Sequence, residues 1–430
     1  MLVNSLLKNV LVLLLGCCFF SSCIKKIDNV SPQIIIESPL PNSNFILPKT
    51  INVKGFSEDD NKLKKIEIYI ANKNLTPISS KVSIEVDSKI FDFDESFYLD
   101  DPLIESESYF VSIKAFDEHN NVNSKYINIS LTEIKRVFKG IYFVNNQNEN
   151  SDVHFIDSND NVSFVSSLIG NTQLSYLNSK HQYLFIATDQ NAFSYTTPHF
   201  DEIWSFFPYL TPYPFFSNLT CDVNDDYLYI VLGDGRINAY NKYGQIVNTI
   251  YANEQEWFGS IYTDNNIVLS EVFSNSFTRY IAAYFINSGV ENQRLQINGK
   301  VAKILKKQDD LFIIAINNQN NGGIFLYDLN NNNIWLEIEI SNSEIYDALI
   351  ADELLYIATN LGVYTYEFST NSLNLDIDIK PIYELNRDHL DGNFLFNDGK
   401  NIYRYIYGDS PTTIYSSVDS ISNIMLFYNK

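Results

Sequence analysis

Leu355-Tyr356-Ile357-Ala358-Thr359-Asn360-Leu361-Gly362-Val363-Tyr364-Thr365-Tyr366-Glu367 is the stretch from which the fold can be read. It opens on a run of β-prone residues and continues into a second run, Val363 to Tyr366, where apolar and aromatic residues recur. The opening run returns as Ile141-Tyr142-Phe143-Val144, Leu184-Phe185-Ile186-Ala187, Leu228-Tyr229-Ile230-Val231, Ile267-Val268-Leu269, Leu311-Phe312-Ile313-Ile314 and Phe394-Leu395-Phe396. In chain order the seven first residues lie 43, 44, 39, 44, 44 and 39 positions apart. A period near 40 is the length of a four-stranded propeller blade.

The second run also recurs, as Val153-His154-Phe155-Ile156, Phe193-Ser194-Tyr195, Ile237-Asn238-Ala239-Tyr240, Ile281-Ala282-Ala283-Tyr284, Ile324-Phe325-Leu326-Tyr327 and Ile402-Tyr403-Arg404-Tyr405. A further strand precedes each copy after the first, as in Leu219 to Val223, Ile261 to Thr263, Ala302 to Leu305 and Ala348 to Ile350. The first copy has no such strand, whereas Ile421 to Phe427 is a strand with no blade of its own. The economical expectation for residues 135–430 is a seven-bladed β-propeller closed by the C-terminal strand, because closure removes open sheet edges. Leu355 to Glu367 is similar to propeller repeats of YVTN-like surface proteins and hybrid sensor-regulators. That resemblance implies an architecture and no particular chemistry.

Upstream, residues 33–134 show period-two alternation in about seven short runs. Among them are Ile51, Val53 and Gly55; Ile66, Ile68 and Ile70; Ile84 and Val86; Phe91 and Phe93; Val111, Ile113 and Ala115; Ile127, Ile129 and Leu131. Size and strand count fit an immunoglobulin-like sandwich, with a turn expected at Ser57-Glu58-Asp59-Asp60-Asn61. Ile36-Glu37-Ser38-Pro39 and Ala115-Phe116-Asp117-Glu118-His119-Asn120-Asn121 resemble bacterial Ig-like domains, with Asn120 where their D-x-x-G-N turn has glycine. The resemblance implies a spacer that presents the next domain. The fold class expected is thus all-β throughout.

Residues 1–22 read as a signal peptide: Lys8, an apolar run from Val10, then Ser21 and Ser22 before Cys23. Phe20-Ser21-Ser22-Cys23 resembles the lipobox of bacterial lipoproteins, which implies lipidation of Cys23. Leu14-Leu15-Gly16-Cys17 fits the same pattern and stays open as the alternative. Residues 23–32 would then be a linker. The partner implied is a membrane, reached through the lipid anchor, and the location a bacterial cell envelope, at its outer membrane, facing either side. More than one acyl chain gives stable attachment.

The chain has 430 residues and a formal charge of −22, which repels phosphate backbones and argues against nucleic acid. Beyond Cys23 the only cysteine is Cys221, so no intramolecular disulfide framework is available. G-x-S-x-G elbows, phosphate loops and H-E-x-x-H helices are missing, and no cofactor is expected. Arg387-Asp388-His389-Leu390-Asp391-Gly392 is the best single constellation, set to approach a central channel. Asp59, Asp60, Asp117 and Asn120 could supply hard oxygen ligands to calcium, against the plainer reading of solvated turns. Trp204, Phe206, Tyr209 and Tyr213, interleaved with prolines, could stack on a ligand or fill space between blades. The function expected is a non-catalytic binding or scaffolding module recognising a protein or glycan. The alternatives are a propeller enzyme acting on an extracellular carbohydrate or other small substrate, or a structural subunit of an envelope complex.

Overall fold

A computed structural model describes residues 29–208, 215–222, 224 and 226–430. Among these every regular element is a strand, and no helix is long and apolar enough to cross a membrane. The chain divides into two compact units, Met1–Lys135 and Arg136–Lys430.

The first unit is one six-stranded sheet system. Lys49–Ala71 is a single 23-residue strand and pairs with the 18-residue strand Val82–Leu99. The sequence suggested separate short strands on either side of a turn at residues 57–61. Instead the backbone stays extended there, and a register shift between Glu58 and Leu63 absorbs the mismatch. Local hydrogen bonds carry that irregularity: Asn61 N donates to Asp59 Oδ1 (2.8 Å) and Lys89 Nζ to the Asp60 carbonyl (2.5 Å). Each long strand thus merges two expected runs. Alternation along the strands points Ile51, Val53, Ile66, Ile68, Val111, Ile113 and Ile129 into one core, all fully buried.

The second unit is seven four-stranded antiparallel sheets. The first strands of the sheets are Thr172–Asn178, Phe216–Cys221, Glu256–Asp264, Lys300–Gln308, Ile345–Ala351, Glu384–Arg387 and Ser420–Tyr428. The recurring apolar run is the second strand of every sheet. In the seventh sheet that second strand is Phe138–Gln147, and the C-terminal strand Ser420–Tyr428 pairs with it from Ser420↔Asn146 to Tyr428↔Phe138.

These runs are continuously apolar because both faces are covered. In Tyr183–Thr188, Leu184 and Ile186 pack toward the seventh sheet while Tyr183, Phe185 and Ala187 pack toward the second. The same division recurs around the unit. Seven apolar clusters each draw on two successive sheets, the last joining the seventh to the first. Each first strand likewise neighbours the first strands of the sheets before and after it, and this succession returns from the seventh to the first. The arrangement is compatible with a propeller-like repeat.

Removing residues 420–430 would take the first strand from the seventh sheet and leave one edge of Phe138–Gln147 unpaired. The unit Arg136–Lys430 should then lose its cooperative thermal transition, followed by circular dichroism at the strand signal. An unchanged melting temperature would contradict this pairing.

Candidate functional site

Six of the seven first strands share an irregularity that positions the site. In these six, pairing with the second strand slips near the start: between Thr172 and Leu174, Phe216 and Asn218, Phe258 and Ile261, Val301 and Lys303, Ile345 and Asp347, and Ile421 and Asn423. A bulge re-aims the side chains beside it. Asn218, Lys303, Asp347 and Asn423 directly follow a slip, and Glu384 begins the regular sixth first strand.

All five line one cavity of about 480 Å³ to which every first strand contributes. Ser175, Thr220, Ser260 and Ser422 add polar groups, and Tyr262, Tyr346 and Tyr383 add rings. Tyr346 and Tyr383 lie 5.0 Å apart at 45°. Lys303 lies deep among these strands, yet its side chain keeps 43% of its accessibility because it projects into the cavity.

Lys303 Nζ pairs with Asp347 Oδ1 at 2.8 Å, and the Asp347 charge raises the lysine's pKa. Asp347 is further fixed by Ala348 N at 2.9 Å and by Leu385 N of the next sheet at 3.0 Å. Glu384 Oε2 accepts from Asn397 Nδ2 (2.9 Å) and from Ile424 N of the seventh sheet (2.9 Å), while Oε1 accepts from Asn386 Nδ2 (3.1 Å). Burial, reinforced by the nearby Asp347 charge, nevertheless pushes the Glu384 carboxyl up to about 8, against the pull of these donors and of Lys303. At neutral pH the cluster therefore presents the balanced Lys303–Asp347 pair beside a largely protonated acid.

A second cavity, about 390 Å³, shares Ser175 and Glu384 with the first. Arg136, Arg387, His389 and Tyr428 line it. The constellation read at residues 387–392 thus divides. Arg387 and His389 face this cavity, whereas Asp388 is buried and accepts from Tyr428 Oη (2.9 Å) and Leu390 N (2.9 Å).

The other sequence candidates lie elsewhere. Trp204 stacks on Tyr240 (5.4 Å, 13°), packs against Phe185 (5.5 Å) and joins the cluster between the first and second sheets. Gly244, at φ +75°, gives it room, since a Cβ there would meet Trp204 Cγ at 2.5 Å. Phe206 stacks with Phe215 (5.9 Å) in the same cluster, and Phe207 is exposed at 54%. Tyr209 and Tyr213 lie outside the described residues, as do Cys17 and Cys23. Asp117, fully buried, closes its own turn: Oδ1 accepts from His119 N (2.9 Å) and Asn121 N (2.7 Å), and Oδ2 from Asn121 Nδ2 (2.7 Å). Asn120, at φ +66°, accepts from Lys64 Nζ at 3.2 Å. Asp59 and Asp60 belong to the irregular stretch of the long strand. Among the described residues no group of three or more His, Cys, Asp or Glu side chains converges on a metal position. Half-buried Cys221 donates through Sγ to the Tyr227 carbonyl at 3.2 Å.

The sequence reading reached the first strands at Leu219, Ile261, Ala302 and Ala348 but passed over their polar neighbours. The available signal was a polar residue just before an apolar one in Asn218-Leu219, Lys303-Ile304, Asp347-Ala348, Glu384-Leu385 and Asn423-Ile424. No protein-family model matches the chain, and no curated protein matches it.

Glu384 gives the cavity a pH signature. An unfolded glutamate titrates near 4.3, so the folded state holds this proton more tightly over the interval up to about 8. That contribution to stability is complete below the unfolded value and is lost as pH rises through the folded one. The melting temperature of Glu384→Gln, measured against the native protein from pH 4.5 to 8.5, should therefore rise relative to it with pH and level off above 8. A constant difference would contradict the assignment.

Proposed function

We propose that this protein is a membrane-anchored envelope lipoprotein whose C-terminal unit is a closed seven-bladed β-propeller with a non-catalytic binding site at its axis, and whose N-terminal unit is an Ig-like spacer. The pairing of the C-terminal strand with Phe138–Gln147 and the succession of inter-sheet clusters back to the first sheet support ring closure. The alternating core strands of the first unit support the sandwich.

The observation that carries the function is the convergence of all seven first strands on one polar cavity, where Asn218, Lys303, Asp347, Glu384 and Asn423 sit beside three tyrosines. Its volume is within the range of small-ligand sites. Of the two ligand classes expected, glycan and protein, the lining favours a glycan. Amides, hydroxyls and ionic groups hydrogen-bond sugar hydroxyls, and rings cover the apolar faces of a sugar. Backbone donors from neighbouring strands hold the Asp347 carboxylate and the Glu384 carboxyl in place, which suits recognition of one orientation. A second reading, a propeller enzyme acting on an extracellular carbohydrate, draws support from Glu384, since a carboxyl titrating near 8 can serve as an acid at neutral pH.

Glycan-array screening followed by calorimetry on the best binder tests the leading reading. Lys303→Met and Tyr383→Ala should each weaken binding roughly 5- to 150-fold, the range of about 1–3 kcal/mol for an anchoring contact. Turnover of the bound glycan, abolished by Glu384→Gln, would replace it with the enzymatic reading. The anchor has its own test: Cys23→Ala should move the protein from the membrane to the soluble fraction, and unchanged fractionation would shift the attachment to Cys17.

A further inference from the structure

Arg136 and Arg387 stand out in a chain of net charge −22 because both line the second cavity, with His389 beside them. Arg136 is exposed and has no carboxylate partner among the described residues. Its guanidinium lies 4.3 Å above the Tyr428 ring, which Asp388 and Ser179 hold in turn: Tyr428 Oη donates to Asp388, and Tyr428 N donates to Ser179 Oγ (3.1 Å). Stacking fixes the plane of an arginine while leaving its in-plane N–H groups available.

Arg387 contacts Asp352 through Nη2, and that aspartate is 70% exposed, where water screens the pair. Its Nε is buried and lacks a hydrogen-bond acceptor among the described residues. The acids nearest this cavity do not cancel the two arginines. Asp388 is buried beneath Tyr428 and accepts from Leu390 N, and the Glu384 carboxyl is tied to Ile424 N.

We propose that this second cavity is an anion subsite, in which Arg136 and Arg387 receive the carboxylate of an acidic saccharide whose ring occupies the adjoining seven-strand cavity. The proposal rests on the reading of that larger cavity as a glycan site. The two spaces adjoin, with Ser175 and Glu384 in the walls of both, and the proposal places one ligand across that boundary. Arginine suits a planar carboxylate because its donors are forked.

Calorimetry with matched neutral and acidic sugars, glucose against glucuronate and galactose against galacturonate, tests it on the full chain. The acidic member should bind at least about tenfold more tightly at low salt, and added salt should erode only that advantage. Arg136→Gln, at an exposed position, should bring the acidic sugar down to the affinity of the neutral one and leave the neutral sugar unchanged. Arg387→Gln should act likewise, with its melting temperature checked because it also loses Asp352. Equal affinity for both members of each pair, or an acidic preference untouched by Arg136→Gln, overturns the subsite while leaving the glycan reading intact. Absence of binding by all four sugars overturns both. Inorganic phosphate that competes as well as glucuronate would overturn the carboxylate assignment.

Discussion

The first strands of the seven sheets stand side by side without pairing as a sheet, so something other than a backbone ladder must hold them in register. Side chains do so. Asp347 reaches Leu385 N, Glu384 reaches Ile424 N, Asn386 Nδ2 donates to the Ile424 carbonyl (3.2 Å), and Ser260 Oγ donates to the Val301 carbonyl (2.8 Å). Thr263 Oγ1 does the same to the Cys221 carbonyl at 2.8 Å. Apolar packing between sheets gives cohesion but little directional information. The polar ties are what fix which residue of one strand stands opposite which residue of the next, and the shape of the cavity follows from them.

The same groups therefore hold the frame and line the site. Asp347 is at once a clasp to the next sheet and the counter-ion of Lys303. Glu384 is at once a clasp to Ile424 and the acid whose proton the cavity retains. Such coupling confers rigidity, because a side chain bound to a neighbouring backbone cannot relax without moving a strand. It also means that substituting either acid perturbs frame and site together. Lys303, Tyr383 and Arg136 are cleaner probes, since none of them donates to or accepts from a neighbouring sheet's backbone.

The repeating second strands were legible from sequence because both of their faces are buried, which leaves an unbroken apolar run such as Leu184 to Ala187. The pairing of the C-terminal strand was legible from strand arithmetic alone. In the first unit the reading failed at residues 57–61. Ser-Glu-Asp-Asp-Asn is turn chemistry by composition, yet paired strands on both sides keep it extended, and within the irregular stretch Asp59 Oδ1 accepts from Asn61 N. The cavity was less legible than the frame. Polar residues on first strands break the apolar pattern, and nothing in the sequence states that a bulge turns Asn218, Lys303 and Asp347 inward. Arg387 and His389 were noticed through their neighbours, but Arg136 belongs to no motif and becomes relevant only once Tyr428 is beneath it.

Charge distribution gives the two cavities different chemical characters despite their contact. In the larger one Lys303 and Asp347 neutralise each other and Glu384 holds its proton at neutral pH, so the field is weak and hydrogen-bond geometry governs what fits. In the smaller one two guanidinium groups stand against acids that are already bound or exposed to solvent. An acidic surface disfavours anions at long range, but screening confines that repulsion to about 8 Å at physiological ionic strength. A local pair of arginines can therefore set the preference at contact even though the molecule as a whole is strongly negative. Affinity for a small anion and repulsion of anionic polymers are compatible in this arrangement, because a polymer meets the surface field along its length whereas a single carboxylate meets only Arg136 and Arg387.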